Sequence, residues 1–135
     1  MKSLTVLVMA LAATAAPASA RYALKIGNTG AETCFRSAEV KARSASAIEQ
    51  CTATLQDEML APDDRVATLV NRGIVLMLAN RSSEAIRDFD DALKLDANEP
   101  EAYLNKGVTE FRIGNSAAAQ QLASRALELR TRKPA

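Results

Sequence analysis

Cys34 and Cys51 are the two cysteines of this 135-residue chain, and they are the first residues that could do chemistry. A redox pair is usually spaced more closely and set beside a group that stabilises a thiolate. A metal site would want further ligands, and the chain contains no His. The expected reading is therefore a structural disulfide closing a loop of 16 residues. Such a loop is worth about 3 kcal/mol through the unfolded chain's lost entropy. The acidic run Asp88-Phe89-Asp90-Asp91 invites a comparison with calcium loops. It lacks the Gly turn and the later Glu of such a loop, and falls mid-helix, so a solvated face is expected. The missing His also removes the commonest general base at neutral pH. Neither a Gly-rich phosphate loop nor a Ser in a nucleophile elbow is present. The expectation is a protein that is not an enzyme and carries no cofactor and no metal.

Apolar residues make up 48 % of the chain and charged residues 24 %, ordinary for a globular protein. With 17 basic and 16 acidic residues, signs interspersed, there is no electrostatic footprint for nucleic acid. Residues 1–20 read as a secretory signal peptide. Lys2 supplies the positive start, Leu4 to Ala13 the apolar core, and Ala18-Ser19-Ala20 the small-residue cleavage site. The apolar run is too short to span a bilayer, and no Cys follows the cleavage site to take a lipid. Export to the periplasm or the extracellular space is expected, with no stable membrane insertion after cleavage. That compartment also favours the disulfide.

The elements that must position these residues are helices, since Ala and Leu dominate and aromatics are only 4 %. Residues 21–30 read as an N-terminal tail. A weak helix is expected over Ala31 to Lys41, with Cys34 facing inward, and a second begins at Ser44 or Ser46. Ser46 followed by Glu49 fits a capping box. Asp63 or Asp64 should cap a helix from Arg65 to Ala79 that is apolar nearly all round, so it must be buried on both sides. Ser82 or Ser83 starts a helix to Leu95, Pro100 opens one to Ile113, and Ser116 opens the last, to Arg130. Gly114 supplies the left-handed turn before it and Asn115 the cap.

These helices repeat. Asn71-Arg72-Gly73 returns 34 residues on as Asn105-Lys106-Gly107, and Ala85, Ala92 and Leu95 return as Ala119, Ala126 and Leu129. Around Cys51, Ala47-Ile48-Glu49-Gln50-Cys51 aligns with Ala85-Ile86-Arg87-Asp88-Phe89. A period of this length marks helix-turn-helix units that bury their apolar faces only against neighbours. The pattern resembles the tetratricopeptide repeat family. One unit carries Leu69, Gly73, Leu76, Ala85, Phe89 and Ala92, and the next Tyr103, Gly107, Ala119 and Ala126. Glu110, Ala123, Ala97 and Thr131 depart from the family's pattern. The resemblance implies an all-α, short right-handed α-solenoid. A degenerate repeat spans 31–62, and better repeats span 63–99 and 100–133.

The resemblance also implies a function. First helices in that family line a concave groove for extended peptides or a partner helix. Asn71 and Asn105 match the position whose amide clamps a peptide backbone, a task suited to a group that both donates and accepts. Val70, Ile74, Met77, Leu104, Val108 and Phe111 would form the groove's apolar floor. Arg72 and Lys106 are expected to snorkel past the packing to solvent. No extra helix is read after the last to close the array. Its edge is expected either to be blunted by Gln120, Arg125, Glu128 and Arg130, the favoured reading, or to be an open docking surface. The function expected is an exported adaptor that binds a peptide or protein segment. The alternative is a structural protein that self-associates through its groove or its C-terminal edge.

Overall fold

The computed structural model describes residues 29–132. The signal peptide expected at 1–20, residues 21–28 of the expected tail and residues 133–135 lie outside them, while the last two residues of that expected tail, Thr29 and Gly30, open the first helix. Within the described residues every regular element is a helix: α1 (Thr29–Glu39), α2 (Ala45–Leu55), α3 (Pro62–Leu78), α4 (Ser82–Leu95), α5 (Pro100–Arg112) and α6 (Ser116–Arg132). None is long and apolar enough to cross a membrane.

Local chemistry sets the boundaries. Ser44 caps α2, its Oγ accepting from Ala47 N at 3.2 Å, so the helix starts where the repeat alignment puts it. The Ser46–Glu49 capping box does not form. Asp63 and Asp64 do not cap α3 either. Ala61 holds that position with no side-chain bond, because Pro62 presets the helical φ and needs no N–H partner. The two carboxylates sit in the first turn instead, favourably placed at the positive end of the helix dipole. Asn80, at φ +62°, ends α3 in the left-handed region that Asn tolerates. The Glu99 side chain accepts from Glu101 N at 3.0 Å and opens α5 around Pro100. Gly114, at φ +94°, makes the turn into α6. Asn115 is no side-chain cap; its Nδ2 donates to Glu110 Oε2 at 2.6 Å.

Packing keeps to chain order. Each helix lies against the next, α1 also against α3, and α3 also against α5, while no even-numbered helix touches another. The central core joins Val66, Leu69, Val70, Leu76 and Met77 of α3 to Ala85, Phe89 and Ala92 of α4 and Ala102 of α5. Gly73 lets α3 and α4 approach. A Cβ there would lie 2.5 Å from the buried Phe89 ring. Cys34 and Cys51 are bonded, with Cα atoms 4.9 Å apart, and tie α1 to α2. Arg65 of α3 donates to Leu55 O at 2.7 Å and Asp57 O at 2.8 Å, satisfying carbonyls that the end of α2 leaves without partners.

Candidate interaction surfaces

The burial of α3 and α5 reflects their 34-residue equivalence. At about 100° per residue, Thr68 and Val75 share one side of α3. Both are fully buried, and Cys34 Sγ lies 3.8 Å from Thr68 O, so this side lies against α1. Their equivalents on α5, Ala102 and Thr109, are also fully buried and lie against α3. Gly107 repeats the close approach of Gly73, with a hypothetical Cβ 3.2 Å from both Ala119 O and Leu122 Cβ.

Val70 and Met77 lie some 160° round α3 from Thr68 and Val75. They are only 5 % and 6 % exposed, in one cluster with Ala102 of α5. This corrects their expected place on a groove floor: α5 covers them. A side chain already packed under a neighbouring helix cannot also receive a peptide. Their equivalents on α5, Leu104 and Phe111, meet no further odd-numbered helix among the described residues. Leu104 is half-buried, Val108 is 42 % exposed and Phe111 is 66 % exposed. On α6, Leu127 is 64 % exposed, whereas its equivalent Leu93 packs on the core. The expected blunting of this edge is therefore incomplete, and an apolar face remains.

Asn71, Ile74 and Asn105 are each half-buried on odd-numbered helices. Asn105 Nδ2 donates to Glu101 O at 2.8 Å, which leaves its Oδ1 with acceptor capacity. The Asn71 side chain makes no hydrogen bond to another described residue.

Charged residues are paired more tightly than the sequence suggests. Arg72 does not snorkel. Its guanidinium holds Asp88 through two bonds of 2.8 Å and Thr52 Oγ1 through one of 3.0 Å. Asp88 is accordingly not on a solvated face but 5 % exposed. Lys106 bonds Asp90 at 2.6 Å, and Lys94 bonds Asp91 at 2.7 Å. Each acid of the run thus has its own cation, which accounts for the run without calcium. The readable signal is the cation that Arg72 and Lys106 place in the same repeat slot. An acid across the helix hairpin is the partner to seek.

A furrow on the other side has no signal in the sequence. Because α2 and α4 do not touch, it runs between them over α3. One hollow of about 290 Å³ includes Thr52, Arg72, Arg81, Arg87 and Asp91 in its lining. The next, of about 350 Å³, shares Arg72 and Asp91 with it. A third, of about 450 Å³, shares Arg65 and Leu95 with the second. The hydrogen bond from Arg81 holds the Glu84 carboxyl below its ordinary range, and raises Arg81 in turn. Cations and acids alternate along this furrow, so it offers no uniform field to a charged ligand. The two cysteine sulfurs are fully buried and bonded to each other, beyond the reach of a thiol from solvent. No known family model matches the chain, and no curated protein matches it.

Proposed function

We propose that this chain is an exported, non-enzymatic adaptor. It binds an extended peptide or protein segment on the face formed by its odd-numbered helices, in the manner of the tetratricopeptide repeats it resembles. The observation that carries the reading is the pair Asn71 and Asn105. They stand one repeat apart, at the same register of neighbouring helices, with hydrogen-bonding capacity unspent at half-buried positions. An amide in that setting recognises a peptide backbone whatever its side chains. Ile74 and Val108 would supply apolar contact beside them. The packing order is in keeping with stacked helix-turn-helix units, since the odd helices contact one another and the even helices do not. The disulfide fits an oxidising compartment, in keeping with the leader at 1–20.

The test is capture of partners from the cell envelope by the tagged protein, comparing wild type with Asn71→Ala/Asn105→Ala. The expected outcome is a partner lost with the double variant while the melting temperature stays put. A partner retained at equal yield would refute the groove.

A further inference from the structure

The apolar face left open at the end of the array is self-complementary, and we propose that it joins two copies of this chain tail to tail about a two-fold axis. The surface is the seam between α5 and α6, with Leu104, Val108 and Phe111 on one side and Leu127 on the other. Its repeat equivalent lies between α3 and α4, where Val70, Met77 and Leu93 are packed by α5 and the core. A helix is thus the shape that this seam accepts, and the chain itself provides the example.

The two ends of the array decide which helix. At the start, the outer face of α1 carries Glu32 and Arg36, paired to each other at 2.8 Å and well exposed. Glu32 and Arg36 lie opposite the buried Cys34 and hold the centre of this face, with Phe35 (45 % exposed) to its side, so head-to-tail stacking of copies, which would grow without closing, is disfavoured. The open face, by contrast, matches itself. Laid antiparallel across a two-fold axis at Val108, α5 sets Phe111 against the partner's Leu104 and Leu104 against the partner's Phe111. Glu101 and Arg112, near opposite ends of α5, flank the stripe on its same edge. The same axis brings Arg112 towards the partner's Glu101, so both charge contacts are attractive, and the antiparallel helix dipoles agree. Within one copy Glu101 pairs with Arg130 and Arg112 with Asn80, all at exposed positions that can re-pair at little cost. The seam is about 20 Å long and two helices wide. That is below the roughly 800 Å² per partner of a standard interface, so the association expected is a weak one.

Asn105 lies about 60° round α5 from Val108, beside Arg112, so a peptide and a second copy would compete for this edge. The two readings still fail separately, because dimerisation is read without a peptide and needs no Asn71. The test is sedimentation equilibrium of the purified protein from about 1 μM to about 500 μM, a span that brackets micromolar association. Wild type is expected to pass from monomer to dimer and to stop there. Phe111→Asp should raise the dissociation constant by about tenfold or more, since it removes a central anchor and places two carboxylates together. Arg112→Glu should weaken the dimer, and adding Glu101→Lys should restore it. Val108→Cys should form a covalent dimer under oxidation, because the axis brings its two copies together, whereas Ala53→Cys on α2 should not. Asn71→Ala should dimerise like wild type. All of these positions are at least part-exposed, and circular dichroism checks that each variant keeps its helices. A monomer across the whole range overturns the proposal, as does a dimer indifferent to Phe111→Asp, or oligomers that keep growing with concentration.

Discussion

The unit formed by α3 and α4 and the unit formed by α5 and α6 share a register but not a set of neighbours. Their difference shows how much of a residue's role is set by the next unit along the chain. Thr68 and Val75, like Ala102 and Thr109, are fully buried because each set lies against a preceding odd helix. Val70 and Met77 are buried while Leu104 and Phe111 are not, because among the described residues only the first pair has an odd helix after it. The inner aromatic also differs: Phe89 fills the first unit, and Ala123 stands at its place in the second.

The largest effect that would sharpen this contrast is truncation of the two Phe side chains. Phe89→Ala should cost about 3–5 kcal/mol, the usual loss for a buried aromatic. Phe111→Ala should change the stability of the monomer by no more than about 0.5 kcal/mol. Urea denaturation of dilute protein measures both, and similar losses would mean that the end of α5 is covered. Next comes the staple. Replacing Cys34 and Cys51 together with Ala should cost about 3 kcal/mol, seen as a lower melting midpoint. Equal midpoints for the disulfide and double-Ala proteins would deny it that role.

The glycines give a smaller and more discriminating comparison. Alanine favours a helix by about 1 kcal/mol over glycine. At Gly73 that gain is outweighed, because the Phe89 ring 2.5 Å from the new methyl is locked in the core. Gly73→Ala should be destabilising by about 1–2 kcal/mol net. At Gly107 the nearest atoms are 3.2 Å away, in a unit with only one neighbouring unit, so the two terms should nearly cancel. Gly107→Ala is expected within about 0.5 kcal/mol of wild type in the same denaturation assay.

The buried threonines differ by less. Thr109 Oγ1 donates to Asn105 O at 2.8 Å, whereas Thr68 Oγ1 is buried without a hydrogen-bond partner. Thr68→Val removes an unsatisfied hydroxyl and should leave stability equal or raise it by about 1 kcal/mol; Thr109→Val should lower it by about 1 kcal/mol. The order reverses if Thr68 is in truth the better satisfied.

The smallest effect is electrostatic. Glu84 and Glu128 are held below the ordinary carboxylate range, first by hydrogen bonds from Arg81 and Arg125 respectively. A lowered folded-state value means a stabilisation present above the unfolded pKa and lost as pH falls through the folded one. Both groups are exposed, so the acid-side loss should be slight and should shrink with added salt. Glu84→Gln should flatten part of that acid limb in a series of melts at falling pH.

Much of this architecture is legible in the amino-acid order. The small residues at Gly73, Gly107, Ala85 and Ala119 mark close approaches, and Pro100 and Gly114 mark an entry and a turn. The pairing of Cys34 with Cys51 is legible from count and spacing. The side of α3 that α5 covers is not, because a helix apolar nearly all round gives no direction to its faces. Val70 and Met77 therefore read as groove floor when they are packing for the next helix. The burial of Asp88 is hidden for a related reason. An acid between other acids reads as surface unless its cation, here Arg72 on the facing helix, is identified first.

The disulfide lies at one extremity of an array in which units touch only their neighbours. Its position gives the molecule a polarity in how it comes apart. With α1 and α2 cross-linked, local opening that begins there releases little chain entropy. At the other extremity α6 leans, among the described helices, on α5 alone, so separation is cheapest from that side and proceeds backwards towards the staple. Amide exchange and proteolytic nicking should therefore start in α6 and reach α2 last. A second copy seated on the α5–α6 seam would close the one end from which the chain unravels.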